Sequence, residues 1–417
     1  ENVDVEIFDE TIEEGYEKLI ELASNCKPDL IGITTFSYCI RHAFEIVSKI
    51  KTNTKYPVVI GGPHVSATKC NSLSDSMADF AIKGEGEVTL LELIRELQAP
   101  MPNFSTIDGL IWRKTNEVIE NKDRVMIKDP DSLPLPDYEA FKLERYSYTS
   151  RRTLPIVTSR GCPYRCNFCS VRLTSGQRFR ARSAEKVVDE LQHWYDRGWN
   201  RFEFNDDCFS FDLDRALMIC NLIIDRGLKI TYQLYNGIRP DRINKELLRK
   251  MRDSGCDFIS YGCETGNDGT LEAINKGFTL DHVSKAVAWT NDAGIRNSVN
   301  FIVGHPGETY ETAMDSINFA KTLPTNFVNF YNLVPYPGTE LLKWIKQNAK
   351  MLVPMESYLE AVSYRDNVPI FETKEFTEEE RKKVLKKGFA LYERTILKFR
   401  FGSLFGFLAY LMTRIKI

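Results

Sequence analysis

The chain has 417 residues, of which 43% are hydrophobic and 27% charged, and its formal net charge is −3. This length predicts two or three domains, and the absence of a polybasic stretch argues against a nucleic-acid partner. The ten cysteines show no disulfide-like spacing. Together with the lack of a visible leader segment, they favour a reducing compartment and hence a cytoplasmic protein.

Residues 1–98 alternate between strand and helix patterns. A strand is predicted over Val5–Phe8, a helix with apolar residues at helical spacing runs from Ile12 to Ala23, and a further helix covers 41–51. Strands are also predicted at 30–34, 57–60 and 80–82. This order predicts a Rossmann-like α/β domain whose ligand lies outside the carboxyl ends of the strands. The residues at that rim are Thr34, Thr35, Gly61, Gly62, His64, Gly84, Glu85 and Gly86.

The remaining chain divides into three predicted segments. Residues 99–152 contain a hairpin and a proline-rich stretch and are interpreted as a linker. Residues 153–338 return to strand–helix alternation, and six such units predict a partial (β/α)6 barrel. Residues 339–417 predict a helical carboxyl-terminal region with a capping box at Thr377 and Glu380. Its uncharged run over 401–413 fits either a helix packed on the protein or an interfacial membrane helix.

Three cysteines crowd into one predicted loop after the first barrel strand. Cys162, Cys166 and Cys169 lie within eight residues. A four-iron cubane usually takes four cysteines, so a loop that offers three leaves one iron open to a small molecule. Zinc is the main alternative, but a structural zinc site needs a fourth ligand, and no His or Cys follows at finger spacing.

This segment resembles the radical S-adenosylmethionine superfamily, whose signature is Cys-x3-Cys-x2-Cys with an aromatic residue before the last cysteine, as Phe168 is here. The resemblance covers residues 154–338. It implies a [4Fe-4S] cluster whose open iron is chelated by S-adenosylmethionine (SAM), and reductive cleavage of SAM to a 5′-deoxyadenosyl radical. A reducing electron donor is therefore implied as a partner.

Polar residues follow several barrel strands, where a barrel collects its function. By the same resemblance, Phe168, Arg239 and Glu264 are predicted to bind SAM, and Asp206 and Asp207 to bind SAM or substrate. Each carboxylate has an alternative role as a helix cap or an ion-pair partner. The Gly304–Thr309 and Pro335–Thr339 segments resemble recurrent segments of the superfamily members that carry a cobalamin domain.

The amino-terminal domain resembles that cobalamin-binding domain. The ordered set Gly-Ile-Thr-Thr-Phe, Val-Ile-Gly-Gly-Pro-His and Lys-Gly-Glu-Gly-Glu carries the resemblance and implies cobalamin at the rim described above. In the family, a first strand and, in some members, an Asp-x-His-x-x-Gly cobalt ligand come earlier than Glu1, so we expect the first strand to be missing here. His42 and His64 are assigned packing or surface roles rather than cobalt ligation.

The leading functional hypothesis is a cobalamin-dependent radical methylase acting on an unactivated carbon of a small or hydrophobic substrate. The first alternative keeps both cofactors but closes a ring, as the anaerobic porphyrin cyclases do. The apolar carboxyl terminus motivates a lipid-like substrate and peripheral membrane contact as further hypotheses. No catalytic residue is assigned.

Two other classes are less favoured. A transfer-RNA methylthiotransferase typically has three further cluster cysteines in its first domain and a basic β-barrel tail, whereas Cys26, Cys39 and Cys70 fit that arrangement poorly and the tail here is helical and apolar. A degenerate cofactor-binding scaffold is disfavoured because the three cysteines and Glu264 are all present.

Overall fold

The structure is a computed structural model that describes residues 3–13, 15–115, 117–146, 153–354, 358–361 and 368–414. The chain forms two compact units. The first comprises Glu1–Arg152, Ser170–Gly176 and Tyr336–Gly338, and the second comprises Thr153–Cys169, Gln177–Pro335 and Thr339–Ile417.

The first unit contains a five-stranded sheet in the order β1-β2-β3-β4-β5, in which β1 to β3 are parallel and β4 and β5 are antiparallel. This mixed sheet, flanked by helices, confirms the predicted Rossmann-like domain. The strands are β1 (Ile31–Thr34), β2 (Val58–Gly61), β3 (Phe80–Ile82), β4 (Leu110–Lys114) and β5 (Glu117–Glu120). The helices are α1 (Tyr16–Cys26), α2 (Ile40–Asn53), α3 (Pro63–Thr68), α4 (Cys70–Ser74) and α5 (Glu87–Leu97).

The core of this unit forms where α2 packs on the central strands. Val47 and Ile50 of α2 are buried with Val58 and Ile60 of β2 in one hydrophobic cluster. The continuous apolar run of β2 is typical of a parallel strand that is covered on both faces. Burial of these side chains therefore fixes the sheet whose carboxyl edge forms the predicted rim.

Three sequence predictions for this region are corrected by the structure. Residues 3–9 form no strand, because they pair with no neighbouring strand and Val5 is 70% exposed. The first helix begins at Tyr16 rather than near Ile12, since Gly15 at φ +84° precedes it in a non-helical conformation. The hairpin of β4 and β5 is not part of a linker, because β4 pairs with β3 and extends the first sheet.

The second unit contains six parallel strands in the order β13-β12-β11-β10-β9-β6, which confirms the partial barrel. The strands are β6 (Thr153–Ile156), β9 (Arg201–Phe204), β10 (Thr231–Leu234), β11 (Cys256–Glu264), β12 (Arg296–Val303) and β13 (Phe327–Asn332), with two small pairs formed by β7 (Ser159–Arg160) and β8 (Arg180–Ala181) and by β14 (Lys350–Met351) and β15 (Phe371–Glu372). The helices are α6 (Val171–Thr174, in the first unit), α7 (Ala184–Tyr195), α8 (Leu213–Asp225), α9 (Lys245–Asp253), α10 (Asp268–Ala273), α11 (Leu280–Asp292), α12 (Tyr310–Thr322), α13 (Glu340–Asn348), α14 (Tyr358–Ala361) and α15 (Glu378–Arg414).

The carboxyl-terminal helix α15 packs on β13. A Cβ atom at Gly388 would lie 2.4 Å from the Phe330 ring, so only glycine permits this close approach. The helix is interrupted at Gly402. None of the described helices combines the length and hydrophobicity that a bilayer crossing requires. The side chains of the predicted interfacial run beyond residue 402 lie outside the described residues.

Candidate cofactor site at the carboxyl ends of the strands

The cysteine loop, residues 161–169, follows β6 and β7 and is fixed by backbone hydrogen bonds. The Asn167 amide donates to the Ile274 carbonyl at 3.2 Å, and the Leu341 amide at the start of α13 donates to the Asn167 carbonyl at 3.0 Å. The Asn167 side chain donates to the Ala273 carbonyl at 3.3 Å. Because Asn167 lies between Cys166 and Cys169, these bonds set the backbone that presents both thiols.

Asp206 and Asp207 bind the entrance of this loop. The buried Asp206 carboxylate accepts hydrogen bonds from the Thr158 amide at 2.6 Å and from the hydroxyls of Thr158 and Ser159 at 2.5 Å each. Burial raises its pKa. Asp207 accepts from the Gly161 amide at 2.8 Å. The geometry gives both carboxylates a positioning role, and their contact with SAM or substrate stays a prediction.

A charged cluster, defined here as Glu264, Lys276, Arg239 and Asp241, lies at the ends of β10 and β11. The Lys276 ammonium donates to Glu264 at 2.6 Å, and Arg239 donates to the Lys276 carbonyl at 2.7 Å and to Asp241 at 2.9 Å. Lys276 is 9% exposed and Glu264 8% exposed. The Lys276 ammonium lies 6.0 Å from the centre of the Phe168 ring. The structure therefore brings together three predicted SAM residues, Phe168, Arg239 and Glu264.

Lys276 is a residue of this cluster that the sequence did not predict. It lies in a tight turn between Asn275 at φ +57° and Gly277 at φ +75°. In the sequence, a lysine followed by glycine after a short helix is the feature that could have indicated a site residue here. Glu264 also adopts a left-handed backbone at φ +72°, which is costly for a residue with a Cβ atom. Such strain is concentrated at functional sites, and it supports the prediction for Glu264.

The three cysteine thiols have different neighbours. Interaction with the Cys208 thiol lowers the pKa of Cys162 to about 7, and the Cys166 thiol lies 3.8 Å from the Asn275 carbonyl. None of the three is in a disulfide bond. Among the described residues, no three His, Cys, Asp or Glu side chains are grouped closely enough to hold a metal ion.

The glycine turn, residues 304–308, follows β12 and is closed by Glu308. One Glu308 oxygen accepts from the amides of Gly304 at 2.6 Å and His305 at 3.1 Å, whereas its other oxygen has no hydrogen-bond partner among the described residues. The carboxylate is 1% exposed, and burial raises its pKa to about 7. The turn is therefore held by a carboxyl group that is easily protonated.

We expect this carboxyl group to make folding stability depend on pH. Between pH 4.5, the ordinary value, and about 7, the folded state keeps a proton that the unfolded state has released, so stability falls as pH rises through that window. In Glu308→Gln, this fall in stability with rising pH should be absent. The unfolding free energy of the wild type, minus that of the variant, should fall by about 3 kcal/mol across the window, since one pKa unit corresponds to about 1.4 kcal/mol.

Urea unfolding of the cofactor-free protein from about pH 4 to about pH 8 measures this difference. Glu311→Gln, at an exposed position in the first turn of α12, is the control. A pH-independent difference between wild type and Glu308→Gln would contradict the assignment.

In the first unit, the predicted cobalamin rim lies where β1, β2 and β3 end. The Thr35 hydroxyl donates to the Gly61 carbonyl at 2.8 Å, and a Cβ atom at Gly62 would lie 2.8 Å from the Thr35 carbonyl oxygen. The Gly84 amide donates to the Ser66 hydroxyl at 3.0 Å, and the Glu85 carboxylate accepts from the Ile127 amide at 2.7 Å. Thr34 is the last residue of β1, and Gly86 directly precedes α5. At Gly62 the missing side chain allows close packing against the Thr35 backbone, and cobalamin contact at this rim stays a prediction.

The two histidines of this unit have protein partners. His64 is buried, its Nδ1 lies 3.0 Å from the Ser37 hydroxyl, and burial lowers its pKa to about 4. His42 pairs with Glu10 at 2.8 Å. These contacts agree with the packing and surface roles that the sequence predicts.

Comparison with known proteins identifies the family. The model of the radical SAM superfamily matches residues 156–320, and that of the B12 binding domain matches residues 1–94. An uncharacterized methyltransferase of Pyrococcus horikoshii is 31% identical over 394 residues, covering 93% of this chain and 84% of the relative. The chain belongs to the cobalamin-dependent radical SAM enzymes.

Two further matches describe how this family member relates to others. An anaerobic magnesium-protoporphyrin IX monomethyl ester cyclase of Cereibacter sphaeroides is 26% identical and covers 81% of this chain, but only 56% of the cyclase. The radical SAM methyltransferase TsrM of Kitasatospora setae, solved with tryptophan and a SAM analogue, superposes with a TM-score of 0.72 at 21% identity, covering 83% of this chain and 71% of TsrM. At that identity the likeness to TsrM shows the fold.

The cofactors of this radical SAM enzyme are a [4Fe-4S] cluster, SAM and cobalamin. The residues present fit them. Three partly exposed thiols on one anchored loop supply the donor set of an open-sided cluster, and the charged cluster beside Phe168 offers both signs of charge to an amino acid.

Proposed function

We propose that this enzyme transfers a methyl group to an unactivated carbon of a small-molecule substrate. The observation that carries the proposal is the joint presence of the anchored three-cysteine loop and the glycine-lined rim in a chain that matches a methyltransferase over most of its length. When bound, the cluster with SAM supplies a substrate radical, and methylcobalamin supplies the methyl group.

The charged cluster is proposed to hold the amino-acid end of SAM. The Lys276 ammonium is suited to the SAM carboxylate, and the Glu264 carboxylate is suited to its amine or ribose hydroxyls. Arg239 is held by Asp241, and its guanidinium carbon lies 3.4 Å from the centre of the Tyr164 ring. Its hydrogen bond to the Lys276 carbonyl therefore fixes the Lys276 backbone. Phe168 forms the apolar wall beside them.

A cobalamin-dependent ring-forming reaction is the second candidate, and the match to the anaerobic cyclase favours it. The mass of the product separates the two reactions, because methyl transfer adds one carbon and ring closure adds none. A methylthiotransferase is disfavoured. The Cys39 thiol contacts the Phe36 carbonyl, whereas the Cys70 thiol donates to Glu120 at 2.9 Å, so the two cysteines have separate partners.

A hydrophobic substrate and peripheral membrane contact are kept as proposals for the carboxyl-terminal region. Phe399 is 47% exposed and Phe401 54% exposed on α15, which supports an apolar partner there. Removal of residues 400–417 should weaken binding of a lipid-like substrate or of vesicles and leave the iron content unchanged. Unchanged binding after this deletion would count against both proposals.

The decisive experiment reconstitutes cluster and cobalamin anaerobically, adds a reductant and SAM, and follows products by mass spectrometry. We expect 5′-deoxyadenosine from the wild type and a loss of more than about 100-fold in Cys162→Ala, because the open-sided cluster needs all three thiolates. Both proteins should keep the cobalamin spectrum. If the wild type forms deoxyadenosine but binds no cobalamin, methyl transfer from methylcobalamin is refuted. If the wild type forms no deoxyadenosine, radical chemistry is refuted.

A further inference from the structure

Arg381 of α15 is an unusual buried cation. It lies beyond the segment that matches the radical SAM superfamily, and it is 1% exposed. Its guanidinium carbon lies 4.3 Å and 4.9 Å from the centres of the Phe371 and Phe376 rings. A fully buried arginine is expensive unless its charge and its donors are used, so its position requires a partner of compensating polarity.

That partner is the glycine turn. Arg381 Nη1 lies 3.4 Å from the Gly304 carbonyl oxygen, and Nε donates to the Phe376 carbonyl at 3.1 Å. A Cβ atom at Gly304 would lie 2.3 Å from Nη1 and would displace the guanidinium, and the φ of +115° at this position also favours glycine. The neighbouring Glu308 carboxylate lowers the electrostatic cost of burying Arg381. Arg381 therefore supports the turn from α15, while Glu308 closes it from within.

The glycine turn in turn supports the cysteine loop. The His305 ring centre lies 5.4 Å from that of Phe168, which precedes the cluster ligand Cys169. His305 is 1% exposed, and neither ring nitrogen has a hydrogen-bond partner of normal geometry among the described residues. The ring lies against the Phe168 ring and also interacts with the Glu264 backbone. A continuous set of contacts leads from α15 to Phe168.

We propose that Arg381 is a positioning residue for the SAM site: it holds the glycine turn so that His305 supports Phe168 of the cysteine loop. This inference rests on the proposed function for its SAM readout. It assigns the carboxyl-terminal region a part in cofactor binding that does not depend on contact with the reacting atoms. One Arg381 nitrogen, Nη2, and one Glu308 oxygen have no hydrogen-bond partner among the described residues.

The test compares Arg381→Met, which keeps the volume and removes the charge and donors, with Arg381→Lys, which keeps the charge. In the reconstituted enzyme, we expect the dissociation constant of SAM to rise about tenfold in Arg381→Met and less in Arg381→Lys. Iron content should match the wild type, because Cys162, Cys166 and Cys169 are untouched. Lys383→Met, an exposed position on the same helix, is the matched control and should leave SAM affinity unchanged.

Hydrogen exchange of the cofactor-free protein gives a second readout that needs no SAM. Amides of residues 303–309 and 164–169 should exchange faster in both Arg381 variants than in the wild type, and those of β9 should not. Faster exchange only at 303–309 would overturn the link to the cysteine loop. Parallel loss of iron and SAM affinity would also overturn the proposal, because it would show a general structural role.

The two proposals fail in different ways. Suppose that the wild type binds no SAM while the Arg381 variants still show faster amide exchange at both 303–309 and 164–169. In that case the proposed function fails, and the positioning role of Arg381 stands as a property of the fold. If the wild type binds SAM and Arg381→Met binds it within about twofold of the same affinity, the positioning role fails and the proposed function is unaffected.

Discussion

Lys276→Met is expected to abolish SAM binding and to lower the free energy of unfolding by about 3–5 kcal/mol, the usual cost of breaking a buried ion pair by removing one partner. The Lys276 ammonium and the Glu264 carboxylate are joined at 2.6 Å, and both residues are at most 9% exposed. Methionine fills the same space but leaves the carboxylate buried without a counter-ion. Burial of that uncompensated charge is the source of the destabilisation.

The double variant Glu264→Gln/Lys276→Met separates stability from cofactor recognition. It removes both charges, so most of the lost stability should return. SAM binding should stay absent, because the ammonium proposed for the SAM carboxylate and the carboxylate proposed for its amine or ribose are both gone. A double variant that regained SAM binding with its stability would show that this pair is only structural.

Urea unfolding and equilibrium binding of SAM to the reconstituted proteins measure the two effects. Lys285→Met is the matched control, since Lys285 pairs with Asp281 at 2.6 Å on the surface of α11 with both side chains more than half exposed. Removing that pair should change stability by at most about 0.5 kcal/mol. The contrast tests whether burial, rather than the loss of a salt bridge as such, determines the cost.

Periodicity predicted the architecture because the buried strands of both sheets carry apolar residues, as at Val58–Ile60 of β2 and at Val299, Phe301 and Val303 of β12. The prediction failed at Val5–Phe8, where an alternating pattern has no strand to pair with. It found the β4–β5 hairpin but placed it in a linker, since nothing local in Leu110–Lys114 specifies that its partner is Phe80–Ile82. Which strands pair is determined by tertiary structure, and a local sequence pattern does not specify it.

The same difference between local and tertiary information explains which candidate site residues the sequence could predict. The cysteine motif and the polar strand ends are local in sequence, so Cys162 and Glu264 could be predicted as site residues from the sequence. Lys276 and Arg381 could not, because their significance comes from partners 12 and 77 residues away, Glu264 and Gly304. Only the fold shows that Lys276 is buried against Glu264 and Arg381 against the glycine turn.

Asp206→Ala is expected to lower the free energy of unfolding by about 3–5 kcal/mol, because three buried donors of Thr158 and Ser159 lose a charged acceptor. The same substitution should reduce iron incorporation, since those donors lie immediately before the cysteine loop. Asp207→Ala removes one bond, from the Gly161 amide, and should cost about 1 kcal/mol. Asp189→Ala, which loses a surface contact with Arg226 at 2.8 Å, is the exposed control.

This comparison decides between the two roles that the sequence left open for these carboxylates. If Asp206 mainly positions the loop, stability and iron content fall together, and SAM binding falls only to the extent that iron is lost. A direct ligand of SAM or substrate would give the opposite pattern, with stability and iron retained and affinity lost. The full burial of Asp206 behind Thr158 and Ser159 favours the first outcome, because all three of its hydrogen bonds are made to the chain itself.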